Sequence, residues 1–563
     1  MKKLYTYIII ALIAIVSTFP ILKVSNIYGH DSRFHLACIT DIKENISLTN
    51  PFPKLTYNSE INLGYGTHLF YPPLPHYVGA YSYLILKNFN CTIFDALVFV
   101  YFIVSLLSGI AMYHLAYSMT KNKLVSILGS AIYLLMPYRM GNIIVRSAMN
   151  ELFTFLFIPM ILLSLNNLIE NKKFLPLFVI GFSGLILSHL VISFYTAIFL
   201  IFWGIINFKK IFNKEISIEK VNNENVTKYY IRIDTIKKIL LGILIVSIIV
   251  APFLSLVISQ KNGGNYLVFK ENYMSGLNYM ETYSISIKDF FVPKDDYSWD
   301  VPLFINTFVL INLFISILTL IKHKKFNSNI FYYIFLLVLC FVMCLNIFPW
   351  DAMPDIFYLI QFPWRLEIFI SISISVLAPL WIINYNFKHK NIISIALILI
   401  LIVSEIPFLK SFSTHKYLIS TIDYSPGMGN MQEYLPVNTY NNLYYFNQRE
   451  NEILYDGQYH YDAKLFENSE KLMFKINSTQ TFTKVEIPRL YYIGYKLTNS
   501  KGENIEFYEN EYGFIEFISE NDTYTLEYVG PLAYRIFIII RYLTIAIVTS
   551  YLIYNFAEKH RKK

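Results

Sequence analysis

Long apolar runs recur along almost the whole chain, and they constrain its fold more than any other feature. The first run ends near Leu22, and further runs of roughly 17 to 25 residues follow at short intervals, the length that crosses the ~30 Å hydrocarbon core of a bilayer. With 55% hydrophobic and 15% charged residues, the chain is more apolar than a soluble domain requires. The sequence therefore predicts an all-α polytopic membrane protein.

The basic clusters fix how these runs cross the membrane. The segment at 74–86 is too short to cross comfortably, so we expect a helix lying in the outer interface. The stretch 174–207 is divided near Ser188-His189, because a single helix there would invert every later loop. Each cluster, such as Lys121/Lys123, then falls on the cytoplasmic side, as the positive-inside rule predicts. The result is about twelve spans, at about 4–22, 94–118, 124–138, 151–168, 174–188, 190–207, 239–259, 303–321, 329–347, 365–385, 391–408 and 532–554.

This topology predicts a multi-pass protein of the plasma membrane with cytoplasmic N- and C-termini. The net charge of +8 is explained by the cytoplasmic clusters, so it does not indicate nucleic acid as a partner. The expected partners include membrane lipids.

The polar parts of the chain define the predicted domains. The transmembrane core covers 1–408 and includes a mixed first outer loop at 27–92. Hydropathy falls after 409, and alternating patterns at 484–487, 490–495, 514–518 and 523–528, with a turn signal at 499–502, predict a small extracytoplasmic antiparallel β domain over 409–531. The final helix and its basic tail occupy 532–563.

The four cysteines do not form a disulfide framework. Cys340 and Cys344 lie one helical turn apart in an apolar run and are interpreted as packing residues. Cys38 and Cys91 both fall on the outer side, so a disulfide between them stays open.

The segment 29–35, just past the first span, concentrates two histidines, an acid and an arginine. If it begins a helix, Asp31 and His35 lie one turn apart on one face. Asp31 either caps that helix or acts as a base that accepts the proton of a hydroxyl group. His35 either assists it or joins it in holding a divalent metal ion. Two ligands do not define a metal site, so the cofactor is left unknown.

Other polar residues near the outer membrane boundary each have two possible roles. Arg146 and Glu151 form an ion pair that pins a loop, or Arg146 binds a lipid phosphate and Glu151 orients it. Arg365, which follows Trp364, is an interfacial anchor or a second phosphate ligand. His189 is a buried histidine or a substrate ligand.

Several short motifs stand out together: His30-Asp31 to His35, the Tyr-Pro-Pro-Leu-Pro step at 71–75, Pro137-Tyr138-Arg139 to Arg146 and Glu151, Ser188-His189-Leu190, and the segments 361–365, 433–436 and 492–495. With the first span, the outer loop and some dozen spans, this set resembles the GT-C superfamily of membrane glycosyltransferases. More narrowly, the chain looks like the bacterial group labelled membrane protein "6-pyruvoyl-tetrahydropterin synthase-related", which is akin to YfhO-type proteins. The label does not describe a reaction.

The resemblance implies that a sugar passes, with inversion, from a polyprenyl-phosphate-linked donor to a glycan or lipid acceptor of the cell envelope, on the outer face. The first-loop acid is catalytic in GT-C enzymes, and that role carries over to Asp31. A second acid is frequent in the family, but this chain has His35 in its neighbourhood instead, so metal dependence stays open. The remaining predicted substrate-binding residues are Arg146, Glu151, His189, Arg365, Trp364 and Tyr71.

Two other functions fit the same residues. A transporter or flippase of a lipid-linked sugar would use the same arginines on phosphate, although it should also carry polar residues along a path to the inner face. An inactive membrane protein that binds envelope glycans through its β domain would not need Asp31.

Overall fold

The computed structural model describes residues 4–22, 29–55, 62–170, 174–212, 214–221, 224–231, 233–270, 273, 275–294, 301–385, 387–414, 432–468 and 470–561. The chain is mostly helical. Its α-helices are α1 Leu4–Leu22, α2 Ser32–Asn45, α3 Thr67–Phe70, α4 Leu74–Leu86, α5 Ile93–Thr120, α6 Lys123–Leu135, α7 Pro137–Ile144, α8 Met149–Ile169, α9 Leu175–Ile186, α10 Leu190–Ile206, α11 Phe208–Ile211, α12 Ile233–Gly263, α13 Leu277–Tyr283, α14 Thr307–Lys322, α15 Ser328–Cys344, α16 Glu367–Leu377, α17 Leu380–Asn384, α18 Lys390–Thr414, α19 Val437–Asn441, α20 Leu443–Gln448 and α21 Leu532–Arg561.

Six helical segments in the described chain are long and apolar enough to cross a membrane: α1, α5, α8, most of α12, Pro363–Asn384 and most of α18. The pair α6 and α7, bent by 46°, would make a seventh, and α9, α10, α14 and α15 are shorter apolar helices. These helices agree with a membrane protein. Helices occur at each of the twelve predicted segments, but twelve crossings stay a prediction. The predicted break near His189 is confirmed, because α9 ends at Ile186 and α10 begins at Leu190.

The chain forms two compact units from interleaved segments. The first comprises Met1–Ser32, Leu97–Val246 and Met274–Thr421, and the second comprises Arg33–Ala96, Ser247–Tyr273 and Ile422–Lys563. In the first unit α1 packs against α6, α7 and α18, α8 packs against α9, and α15 packs against α16. It also contains the antiparallel strand pair β1 Lys214–Val221 and β2 Glu224–Ile231. The second unit includes 33–96 and 247–273, two segments that lie within the predicted transmembrane core of 1–408.

The second unit contains two antiparallel sheets. Their strands are β3 Ile453–Tyr455, β4 Gln458–His460, β5 Lys464–Glu467, β6 Lys471–Lys475, β7 Thr483–Leu490, β8 Tyr495–Thr498, β9 Tyr508–Glu509, β10 Phe514–Ser519 and β11 Thr523–Tyr528. The five-stranded sheet has the order β4-β3-β7-β10-β9, and the four-stranded sheet has the order β5-β6-β11-β8. Phe517 of the first sheet contacts Tyr524 of the second, with ring centroids 4.9 Å apart, so one hydrophobic core joins both sheets.

The antiparallel β domain is confirmed, but the strand predicted at 490–495 is wrong. The chain turns there between β7 and β8. Gly494 has a φ of +124°, which favours glycine, and a Cβ added at Gly494 would lie only 2.9 Å from the Cα of Gly530. Tyr492 is fully buried and donates a hydrogen bond of 2.9 Å to the carbonyl oxygen of Tyr434. The aromatic residues at this turn therefore belong to the core and not to an alternating strand. The cysteines are unpaired thiols, so Cys38 and Cys91 do not form a disulfide in this structure.

A buried ion pair in the second unit gives a stability prediction. The Glu486 carboxylate accepts hydrogen bonds from Arg449 (2.5 Å), Tyr445 (2.9 Å) and Asn510 (2.6 Å). Glu486→Ala would leave the Arg449 guanidinium buried without its charge partner, which costs ~3–5 kcal/mol. We expect a clear loss of thermal stability of the purified protein in detergent.

Lys475→Ala is the control, since Lys475 is an exposed lysine on another strand of the same β domain, β6. Substitution at an exposed site usually changes stability by no more than ~0.5 kcal/mol. Equal stability losses in the two variants would contradict this account of the β domain.

Candidate functional site

A buried carboxylate, Glu151, collects hydrogen bonds in the first unit. It lies in the first turn of α8, where the helix dipole favours a negative charge, and it is only 2% exposed. Its Oε1 accepts a short hydrogen bond from the Tyr138 hydroxyl and a second, of 3.1 Å, from Asn142 Nδ2. Its Oε2 accepts one of 2.6 Å from Arg146 Nη1. The carboxylate is therefore paired and fully bonded inside the protein.

Local geometry on α7 brings these donors to one side. Pro137 begins the helix and cannot donate a backbone hydrogen bond to α6, so the chain bends at Met136, whose ψ is 128°. Tyr138, Asn142 and Arg146 follow at intervals of four residues and therefore lie near one face of α7 and its continuation. Arg146 Nη1 also donates to Asn142 Oδ1 at 2.5 Å, which fixes the guanidinium.

A second guanidinium, that of Arg365, approaches the same carboxylate. Its Nε lies 3.5 Å from Glu151 Oε2. Its Nη1 donates to the carbonyl oxygen of Ile360 at 2.9 Å and to Gln361 Oε1 at 2.7 Å. Gln361 has a φ of +63°, which is strained for a residue with a side chain, and such strain often accompanies a functional site.

The segment that carries Asp31 is attached beside Arg146 by its backbone. His30 N donates to the carbonyl oxygen of Val145 at 3.2 Å, and Asp31 N donates to that of Arg146 at 2.8 Å. The Asp31 side chain is 43% exposed, and its Oδ2 lies 3.8 Å from Arg146 Nη2. This separation is longer than a hydrogen bond, so the backbone bonds hold Asp31 beside the buried Arg146 while its side chain stays partly exposed.

The close approach of these two segments requires a glycine. A Cβ at Gly29 would lie 2.7 Å from the Ser147 Cβ. Ser147 itself has a φ of +51°, and its carbonyl oxygen accepts a hydrogen bond of 2.8 Å from the buried Tyr101 hydroxyl. Ser147 is therefore in contact with Gly29 on one side and hydrogen-bonded to Tyr101 on the other.

Asp31 and Arg146 line a cleft of about 580 Å³, a volume typical of small-molecule sites. Lys294 and Asp289 line the same cleft. The Asp289 carboxylate is already engaged, since it accepts a hydrogen bond of 2.7 Å from Ser286 N. Among the described residues, the charged groups that line the cleft thus include the Arg146 and Lys294 cations and the Asp31 carboxylate.

One wall of the cleft is aromatic. The rings of Phe362 and Trp364 stack with centroids 4.9 Å apart, and Tyr283 meets Phe362 edge-on at 4.7 Å. Arg146 lies over the Trp364 ring, with Cζ 4.9 Å from the centroid. Aromatic faces pack against the C–H faces of sugars, and a forked guanidinium suits phosphate. The cleft therefore combines aromatic rings with a guanidinium.

Neighbouring charges set the protonation states at the site. Burial alone would lower the pKa of Arg146, but the carboxylates of Glu151 and Asp31 outweigh it and raise that pKa above its usual range. Burial and the nearby Arg365 lower the pKa of His189 to about 3. The site near neutral pH therefore has a cationic Arg146 and a neutral His189, whose Nδ1 caps α10 by accepting from Ile192 N at 3.3 Å.

Six of the eight predicted site residues belong to the first unit, where they lie near one another. Asp31, Arg146 and Trp364 line the cleft. Glu151 accepts a hydrogen bond from Arg146, and Arg365 contacts Glu151. His189 is close enough to Arg365 and Glu151 for their charges to affect it. The other two predicted residues, His35 and Tyr71, belong to the second unit.

The helix α2 begins at Ser32, so Asp31 directly precedes its first residue and His35 lies in its first turn. The His35 ring is buried and lies with its Nδ1 2.8 Å from His76 Nε2. Tyr71 stacks on the same His76 ring, at 5.8 Å.

Several residues of the site were not predicted as site residues. Tyr138 and Asn142 could have been found, since they precede Arg146 at helical spacing. Tyr283 and Lys294 reach the cleft from α13 and the segment after it, and no periodicity in the sequence links that segment to Asp31.

The chain was compared with known proteins. No family model matches it. Over 356 residues it is 26% identical to an uncharacterized protein of Lactococcus lactis subsp. cremoris, an alignment that covers 61% of this chain and 54% of that protein. The chain thus spans about half the length of the curated relative it matches. This is a distant similarity to a protein whose name states no activity, so it assigns neither a family nor a reaction.

The packing at Gly29 gives a prediction for the site. Gly29→Ala would push the turn that carries Asp31 away from Ser147, and overpacking of this kind costs ~1–3 kcal/mol. We expect a lower melting temperature of the purified protein in detergent.

Gly204→Ala is the control, because a Cβ at Gly204 meets nothing within 4 Å and alanine favours the helix α10. A Gly29→Ala protein as stable as the Gly204→Ala protein would show that the close approach at Ser147 is not required.

Proposed function

We propose that this protein is a membrane glycosyltransferase of the GT-C type, which transfers a sugar from a polyprenyl-phosphate-linked donor to an acceptor of the cell envelope. One observation carries the proposal. The exposed Asp31 carboxylate lies 3.8 Å from a guanidinium that is itself fixed by a buried acid, at a cleft with an aromatic wall.

In the proposed reaction Asp31 is the general base. It accepts the proton of an acceptor hydroxyl, whose oxygen then attacks the anomeric carbon of the donor sugar. A new C–O bond forms, the bond to the lipid phosphate breaks, and the phosphate leaves with the bonding electron pair. This single displacement inverts the anomeric centre.

Arg146 and Lys294 would neutralise the charge that develops on the departing phosphate. Arg146 suits this role because Glu151 and Asn142 hold Nη1, while Nη2 lies toward Asp31. Arg365 and His189 act through Glu151 as positioning residues. Trp364 and Phe362 would pack against the sugar. The proposal gives no direct part in the transfer to His35 and Tyr71.

The topology is part of the same proposal. The chain crosses the plasma membrane twelve times, its cleft opens to the outer face, and both termini are cytoplasmic. The distribution of the basic clusters supports this orientation.

The proposal is tested by substituting Asp31 in cells. Asp31→Asn removes the base and keeps the size of the side chain, so we expect turnover to fall ~10²–10⁴-fold. The envelope glycan profile, measured by mass spectrometry, should then match that of a deletion strain, although the variant is made and inserted normally.

Asp351→Asn is the control, since Asp351 is also an exposed acid of the first unit and does not line the cleft. A wild-type glycan profile in the Asp31→Asn strain, together with a changed profile in the deletion strain, would contradict catalysis. That result would favour transport or glycan binding instead.

A further inference from the structure

A second group of chemically reactive side chains belongs to the second unit. The Cys38 sulfur and one ring nitrogen each of His68 and His76 all lie within 4.8 Å of one another, and all three side chains are buried. His68 Nε2 and His76 Nδ1 are 3.1 Å apart. Two nitrogens bound to one tetrahedral zinc ion stand ~3.3 Å apart, as follows from a Zn–N distance of ~2.0 Å.

Three short elements bring these residues together. Cys38 lies on α2, His68 on the short helix α3, and His76 in the first turn of α4. The connection between α3 and α4 contains Pro72 and Pro73, whose fixed φ angles restrict the path between the two histidines. The arrangement is therefore held by the backbone and does not depend on long flexible side chains.

The hydrogen bonds among the rings are compatible with a bound metal ion. His76 Nε2 lies 2.8 Å from His35 Nδ1 and can donate a proton to it. The other nitrogen of the ring, His76 Nδ1, is then deprotonated and lies 3.1 Å from His68 Nε2. A metal ion bound by these two nitrogens would replace the hydrogen bond between them and would leave the bond to His35 in place.

Aromatic rings pack against the two histidines. Tyr71 stacks on the His76 ring at 5.8 Å, Tyr77 stacks on the His68 ring at 5.8 Å, and Phe34 meets His76 edge-on at 5.7 Å. The three side chains that would bind the ion are therefore enclosed by protein.

We propose that Cys38, His68 and His76 form a binding site for a divalent transition-metal ion, with zinc as the expected metal. A set of one sulfur and two imidazole nitrogens is typical of zinc, and three protein ligands leave a fourth position for water. Binding converts the Cys38 thiol to a thiolate and releases one proton. His35 lies next to this set as the hydrogen-bond partner of His76 and would orient its ring.

This site does not depend on the proposed sugar transfer. It lies in the second unit, and its residues differ from those proposed to act on the sugar or the phosphate. A failure of either proposal therefore leaves the other one standing.

The experiment measures metal binding by the full-length protein, purified in detergent without a polyhistidine tag. After equilibration with zinc and removal of free metal, elemental analysis should find one zinc per chain in the wild type. Cys38→Ala, His68→Ala and His76→Ala should each lose it, whereas His35→Ala should weaken zinc affinity ~10–100-fold, as the loss of a residue that orients a ligand does.

Cys344→Ala and His114→Ala are matched controls, since they remove a buried cysteine and a partly buried histidine of the first unit. Both should keep the zinc. Replacement by cobalt adds a readout that does not depend on stoichiometry, because a thiolate–cobalt charge-transfer band should be present in the wild type and in Cys344→Ala and absent in Cys38→Ala. A wild-type protein without bound zinc or cobalt, or ligand variants that bind as much metal as the controls, would overturn the site.

Discussion

The charge of Glu151 is the interaction on which the candidate site depends. The carboxylate is buried among helices, and it is stable there because Tyr138, Asn142 and Arg146 donate to it and Arg365 approaches it. Removing one partner of such a buried pair costs ~3–5 kcal/mol, since the other charge is left without compensation. The same contacts connect α7, α8 and the turn at 361–365. One acid thus fixes three parts of the first unit.

The two acids near Arg146 have opposite environments. Glu151 is 2% exposed and fully bonded, whereas the Asp31 side chain is 43% exposed and 3.8 Å from Arg146. A carboxylate that accepts several hydrogen bonds is engaged by the protein, while one that faces a cleft can contact a ligand. This difference is the physical basis for giving Glu151 a positioning role and Asp31 the role of base.

Local signals in the sequence predicted more of the structure than long-range ones. Apolar length predicted the helices, the helix Leu74–Leu86 occurs where a short run indicated it, and alternation identified β10 and β11. Arg146 and Glu151 were linked because they are close in sequence. The turn at Gly494 was missed because its aromatic residues alternate like a strand. The contact between His35 and His76 was not predicted, because the two residues are 41 positions apart and no periodicity in the sequence indicates such a contact.

The central claim is that Glu151 holds Arg146 in place to bind a lipid phosphate beside Asp31. Identifying any lipid that co-purifies with the protein tests this claim most directly. Lipids extracted from the wild type, Arg146→Gln and Arg146→Lys would be identified by mass spectrometry, with Arg535→Gln, an exposed site on α21, as the control. The account predicts a polyprenyl phosphate lipid on the wild type and the control, less of it on Arg146→Lys, and none on Arg146→Gln. Equal amounts of that lipid on folded Arg146→Gln protein and on the wild type would contradict it.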